Sequence, residues 1–151
     1  MDTKKIVELV NADIYQRENL ILSNVNLEIN PGEFIYVIGK VGTGKSSLIK
    51  TLNAEIPLIS GMGTVVGHQL NGMKQRDVAD LRRKLGVVFQ DFRLLTDRNV
   101  HDNLAFVLKA TGWKNKIEIE SQIAEVLESV GVLDKLMKMP HQLSGGEQQR
   151  V

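Results

Sequence analysis

Apolar residues recur along this chain with two different periods, and the change of period divides it. Over roughly the first 90 positions short apolar runs alternate with turn clusters, whereas beyond position 100 apolar residues return at helical spacing. Residues 6–9 and 20–29 read as strands, separated by the polar stretch 15–19 and closed by Asn30-Pro31-Gly32. The run 34–38, Phe-Ile-Tyr-Val-Ile, is a short β-favouring segment, and residues 46–52 carry apolar side chains at helical spacing. Residues 56–72 are rich in glycine and hold a short strand at 63–67 between turns. The stretch 74–84 is charged and weakly amphipathic, and 86–90 reads as a buried-type strand ending in a polar residue. Val100, Leu104, Val107 and Leu108 repeat at i, i+4, i+7 and i+8, which predicts a helix stopped by Gly112. Ile123, Val126, Leu127 and Val130 mark another helical face ended by Gly131, and a brief helix is expected at 133–139 before Pro140. The order is α/β early and helical late.

One junction in this pattern carries chemistry. Gly39-Lys40-Val41-Gly42-Thr43-Gly44-Lys45-Ser46 satisfies G-x-x-x-x-G-K-[ST], with the run 34–38 before it and the helical stretch 46–52 after it. Glycines let successive backbone N–H groups curl around an anion where a side chain would block the approach. Lys45 adds a mobile positive charge toward the β- and γ-phosphates, and the Ser46 hydroxyl is placed to ligate Mg²⁺. The helix that follows aims its partial positive end at the same place. A glycine-rich hairpin without a ligand is the plain alternative, and the order strand, loop, helix argues against it. The cofactors expected from these residues are ATP, or another nucleoside triphosphate, and Mg²⁺.

Composition narrows the classes without changing that reading. A chain of 151 residues, 42% hydrophobic, with net charge +1, supports one globular domain and calls for neither nucleic acid nor an anionic membrane as partner. With no cysteine, a disulfide scaffold is excluded. The stretch Met1-Asp2-Thr3-Lys4-Lys5 lacks the apolar segment of a secretory signal, and no apolar run is long enough to span a bilayer. His68, His101 and His141 have no ligand-like spacing and read as solvated side chains rather than a metal site. The basic residues Lys74, Arg76, Arg82, Arg83 and Lys84 are interrupted by Asp77 and Asp80, which favours a solvated helix face over a nucleic-acid patch.

A second constellation closes the sequence: Leu143-Ser144-Gly145-Gly146-Glu147-Gln148-Gln149-Arg150-Val151. Ser144 and Glu147 stand at the spacing of an N-terminal capping box. A capped surface helix explains those two residues, but glycines directly after the cap weaken a helix and are better explained by close approach of something to the backbone. A phosphate-binding loop followed downstream by L-S-G-G-E-Q-Q-R resembles the ATP-binding subunit of an ABC transporter. The resemblance implies a P-loop NTPase of ABC type: a mixed β-sheet core, about 1–90, and a helical subdomain, about 91–151, within one incomplete domain. It implies a head-to-tail homodimer in which Ser144, Gly145 and Gly146 close in trans on the γ-phosphate held by the partner copy. It implies that Gly39, Lys40, Val41, Gly42, Thr43, Gly44, Lys45, Ser46 and Ser47 cradle the phosphates, that Tyr15 stacks on adenine, and that Gln90 contacts Mg²⁺ or the attacking water. Lys45 and Gln90 are then the residues of the catalytic step within this sequence. Phe92, directly after Gln90, is the better candidate for contact with a membrane partner than Phe106 or Trp113.

The segment from Val88 to Leu104, with Phe89-Gln90-Asp91 and Val100-His101-Asp102-Asn103-Leu104, is similar to the cell-division branch of that family. That resemblance implies a cytoplasmic ATPase, peripheral on the inner face of the cell membrane, bound to an FtsX-like polytopic protein, with no direct insertion in the membrane. Family members continue with an apolar strand ending in Asp-Glu, a loop bearing Asp and a histidine switch, none of which is among these 151 residues. The sequence is accordingly expected to be about two-thirds of a subunit, nearly inactive in hydrolysis alone. Two other readings stand beside this one: a nucleotide-binding docking module that does not hydrolyse, and the ATPase of a lipoprotein-release or export-type transporter. Relatives that act on DNA ends would place a coiled coil between the two motifs, and none is present.

Overall fold

The alternation at the start of the chain produces β1 (Val7–Gln16), whose residues Val7, Leu9, Ala12 and Ile14 are buried. The inward set steps by three between Leu9 and Ala12 because Asn11 adopts φ 47° and the ladder shifts register there. A turn at Arg17-Glu18, with Arg17 at φ 58°, returns the chain as β2 (Asn19–Ile29), so Tyr15 lies within a strand and not in a polar connector. β3 (Ser60–Val65) pairs with the other edge of β1, and a turn at Val66-Gly67, φ 47° and 78°, leads to β4 (His68–Gln69). The sheet order is β2-β1-β3-β4, antiparallel throughout. The strand expected at 63–67 thus starts earlier, and its last two residues form the turn.

The structure, a computed structural model, describes residues 5–151; the leader-free reading of the N-terminus falls partly on residues 1–4, outside the described residues. The chain divides into two units, the first ending at Gly86 and the second spanning Val87–Val151. In the first, helices α1 (Lys45–Leu52) and α2 (Gln75–Arg82) complete a core in which Leu48, Leu58, Leu70 and Leu81 join the inner face of β1. Each fully buried aliphatic side chain of this kind contributes about 1.5–3 kcal/mol.

Two expected strands are not formed. The run 34–38 makes no ladder, and Phe34 and Ile38 are 81% and 90% exposed; 86–90 is likewise irregular, with Val88 77% exposed. Side-chain propensity alone does not make a strand: its N–H and C=O groups need a neighbouring edge, and neither run pairs with a described strand. Phe34 and Tyr36 instead meet edge to face, ring centroids 5.0 Å apart.

The second unit is built on α3 (Val100–Ala110) and α4 (Lys116–Ser129), followed by α5 (Gly145–Arg150). Asn99 and Asn115 cap α3 and α4 by accepting from the N–H groups of Asp102 and Ile117. Both helices end in the same way: Gly112 (φ 105°) and Gly131 (φ 68°) follow the caps, and the N–H groups of Trp113 and Val132 return to the carbonyls of Leu108 and Leu127. The buried face of α4 is Ile119, Ile123 and Leu127, whereas Val126 and Val130 stay 37% and 38% exposed at its margin. The expected face was therefore rotated by part of a turn. The helix expected at 133–139 is only a 3₁₀ turn, Leu133–Lys135, because the carbonyls of Leu136 and Lys138 accept from His101 and Val100, both at 2.9 Å, and so finish the N-terminus of α3.

Candidate nucleotide-binding site

Between residue 38 and α1 the chain forms a loop held by its own lysine. Lys45 Nζ donates to the carbonyls of Gly39 and Lys40, both at 2.7 Å, and Thr43 Oγ1 donates to the same Lys40 carbonyl at 2.8 Å. The ammonium therefore sits at the centre of the turn, where its partners are carbonyl dipoles and no carboxylate. Gly44 (φ 90°) is the N-cap of α1 and has no side chain to satisfy the first N–H groups of the helix. Around this helix start Gly42, Thr43 and Ser46 are exposed and Lys45 is half-buried. An ammonium, exposed glycines and a helix N-terminus meet on this exposed loop, an arrangement that suits a polyphosphate. Ser47, by contrast, is buried, and its carbonyl accepts from Thr51 Oγ1 at 2.9 Å. Lys40 and Val41 are exposed on the outer side of the turn. Tyr15 stands in the same unit, half-buried at the hairpin end of β1 opposite Leu20.

In the second unit Gln90 is exposed on an irregular loop. Phe92 and Arg93 behind it adopt φ 57° and 55°, a region that costs a non-glycine residue about 1–3 kcal/mol. The loop is closed on itself by the Arg93 N–H to the Asp91 carbonyl, 2.6 Å, and by the Arg93 guanidinium 3.8 Å over the Phe89 ring. Sequence reasoning missed the residue that holds the far end of this loop. Asn103 is 6% exposed and hydrogen-bonds both the N–H and the carbonyl of Leu95. Its identity as a buried polar residue on an apolar helix face was the signal available.

Ser144 opens α5 as expected. Glu147 N–H donates to Ser144 Oγ at 3.4 Å, while Glu147 Oε2 accepts from the Ser144 backbone N–H and hydroxyl, both at 2.8 Å. These bonds, the backbone one first, hold the Glu147 carboxyl below its ordinary range. Gly145 and Gly146 are exposed; a Cβ on Gly145 would lie 3.9 Å from Phe92, and one on Gly146 would meet nothing within 4 Å. Neither glycine is required by a turn or by packing within the described residues. The site residues are thus shared out, with Tyr15 and residues 39–47 in the first unit and Gln90 and residues 144–146 in the second.

The histidines depart from the sequence reading. His141 is exposed, but the Nε2 of His68 is buried without a hydrogen-bond partner. His101 places Nδ1 2.9 Å from Asp102 and Nε2 2.9 Å from Glu120 of α4. Chiefly the Asp102 contact raises its pKa above the ordinary 6.5. Among the described residues no cluster of three or more His, Cys, Asp or Glu could hold a metal, and no helix is long and apolar enough to cross a membrane.

The sheet, the phosphate loop and the capped glycine pair define an ATP-binding cassette, and the description "ABC transporter" matches residues 22–151. The chain belongs to the ABC transporter family, as an ATP-binding domain of that fold. It is 40% identical over 137 residues to the cell division ATP-binding protein FtsE of Streptococcus pneumoniae serotype 2 (strain D39), covering 91% of this chain and 59% of that protein. It is 42% identical over 147 residues to the methionine import ATP-binding protein MetN of Helicobacter pylori (strain J99), covering 97% of this chain and 45% of that protein. A solved dimeric ATP-binding cassette in a post-hydrolysis state, bound to ADP and Pi, superposes with TM-score 0.84 at 30% identity, over 95% of this chain and 66% of that one. The chain thus spans about half to two-thirds of the length of the relatives it matches.

Proposed function

We propose that this chain is the nucleotide-binding portion of an ATP-hydrolysing subunit that drives a membrane complex. What carries the reading is the Lys45 loop: an ammonium poised between two carbonyls at the N-terminus of α1, with glycines on either side and solvent in front. In this reading Gly39, Lys40, Val41, Gly42, Thr43, Gly44, Lys45, Ser46 and Ser47 form the phosphate cradle. Lys45 leaves the Gly39 and Lys40 carbonyls for the β- and γ-phosphates, exchanging neutral acceptors for charged ones. Ser46 and Gln90 serve Mg²⁺, and Tyr15 stacks on adenine. Ser144, Gly145 and Gly146 close on the γ-phosphate of a second copy in a head-to-tail homodimer. The cell-division relative supports the finer assignment, an FtsE-like ATPase coupled to division through an FtsX-like polytopic partner, cytoplasmic and peripheral at the membrane. The methionine-import relative, at similar identity, supports a second assignment, the ATPase of an importer.

Titration of the chain with a fluorescent ATP analogue in Mg²⁺ tests the core of this. Lys45→Ala should weaken binding by roughly ten- to a hundredfold, the worth of a charge-assisted contact, with the far-UV spectrum unchanged. Undiminished affinity in that variant would sink the assignment.

A further inference from the structure

We infer that Asn71 is a site of spontaneous deamidation that folding keeps latched: its amide braces the start of β3, and opening of the β3–β4 hairpin frees it for attack by the Gly72 nitrogen. Asn71-Gly72 is the one place in the sequence where glycine follows asparagine. With no Cβ on residue 72, the attacking nitrogen is uncrowded. The pair forms the centre of a turn closed by the Met73 N–H on the Leu70 carbonyl at 3.3 Å, with Gly72 exposed at φ 65°. The step needs only water. The Gly72 nitrogen bonds to Asn71 Cγ and closes a cyclic imide; the Cγ–Nδ2 bond breaks, and ammonia leaves with the proton given up by Gly72. Water then opens the imide to aspartate or isoaspartate at position 71, with no change of oxidation state.

In the folded chain this amide is not free to turn. Asn71 Oδ1 accepts from the Gly63 N–H at 3.1 Å, and Nδ2 donates to the Gly61 carbonyl at 2.9 Å. Attack from Gly72 has to swing Cγ away from β3 and break both bonds, which strips the buried Gly63 N–H of its acceptor. Leu70, just before the pair, is 4% exposed, and its own N–H is held by the Gly63 carbonyl at 2.9 Å. The brace matters because Gly61 (φ 77°) lies hard on the irregular stretch of β1: a Cβ there would lie 2.3 Å from the Asn11 carbonyl oxygen and 2.5 Å from Ala12 Cα. Conversion undoes it. A carboxylate keeps an acceptor for Gly63 but offers no donor to Gly61, so two oxygens face each other where a hydrogen bond stood. Isoaspartate also lengthens the main chain by a carbon inside the turn. Each opening thus invites a change that makes the next one easier, and the turn records how often the hairpin has come apart.

The test ages the whole chain in mildly alkaline buffer, with and without denaturing urea, and reads amide-to-acid conversion by mass spectrometry of the tryptic peptide 51–74. That peptide also holds Asn53, followed by Ala54, as an internal comparison. In urea, position 71 should convert about tenfold or more faster than position 53, for want of a Cβ on the next residue. In the folded chain, conversion at position 71 should fall about tenfold or more below its rate in urea, the protection given by two bonds that must open first. Gly72→Ala should slow conversion in urea by about tenfold, since a methyl group then crowds the attacking nitrogen. Asn71→Asp, which starts with the carboxylate in place, should unfold the first unit at lower urea than the parent chain. Equal rates at 53 and 71 in urea, or an unslowed Gly72→Ala chain, overturn the site. Equal rates at position 71 with and without urea overturn the latch. An unshifted urea midpoint in Asn71→Asp overturns the brace.

Discussion

A methyl group added to Gly44 would lie 2.8 Å from Ile21 Cγ2 and 2.9 Å from Leu22 Cγ, whereas one added to Gly146 would meet nothing within 4 Å. Both glycines belong to the start of a helix, and both stand in the motifs that mark the family. Gly44 is fixed from within: φ 90° and the packing of the loop on β2 admit no other residue. Gly146 sits in ordinary helical backbone, where glycine costs stability and gains nothing inside the chain. The first loop is shaped by its own fold; the second keeps a bare surface that the described residues do not use. On the function proposed above, with the first loop acting in cis and the second in trans, this contrast is the expected one.

The largest effect that would break the contrast is at Gly44. Gly44→Ala combines a forbidden φ with a close contact and should destabilise the first unit by about 2–4 kcal/mol, with loss of nucleotide binding, as read by urea denaturation and titration. A fully stable Gly44→Ala chain would erase the difference between the loops. Ser144→Ala sharpens the comparison from the other side. Its hydroxyl is fully explained by the capping box, so removal should cost the second unit about 1 kcal/mol without any partner present. Gly146→Ala should do the reverse, stabilising α5 by up to about 1 kcal/mol while abolishing pairing of copies driven by Mg²⁺-ATP, as seen by sedimentation. Pairing that survives the substitution would remove the reason given for the bare surface.

The smallest expected effect is electrostatic. Both ring nitrogens of His101 face carboxylates, and only the imidazolium can donate to both. With its folded pKa raised, the clamp between α3 and α4 contributes fully below the ordinary 6.5 and is lost as pH rises through the raised value. Melting of the parent chain and of His101→Ala across that interval should therefore converge toward high pH. Curves that stay parallel would show the clamp to be inert. The groups facing the ring are Asp102 on its own helix and Glu120 on α4, and the backbone there is tied to Leu136.

Much of this was legible in the sequence, for reasons that can be stated residue by residue. The phosphate loop, α3, and the Ser144 to Glu147 box depend on contacts within a few residues, and local chemistry fixes them. The strands expected at 34–38 and 86–90 depend on a neighbour distant in sequence, and neither run is paired with a described strand. The face of α4 was misread because Val126 and Val130 satisfy helical periodicity as well as Ile119 does, and the packing of α3 decides between them. Asn103 and His101 were invisible as functional or structural anchors, because their partners, Leu95 and Glu120, are set by how loop and helix fold back.

The uncovered run 34–38 has a colloidal consequence. Five consecutive β-prone, uncharged residues with solvent-facing backbone are a template for copies of themselves. Glu33, whose carboxylate is bonded to the Asn30 N–H at 2.7 Å, and Lys40 flank the run with opposite charges and act as gatekeepers of its ends. Removing both charges should lower the concentration at which separate copies of this chain begin to share a sheet.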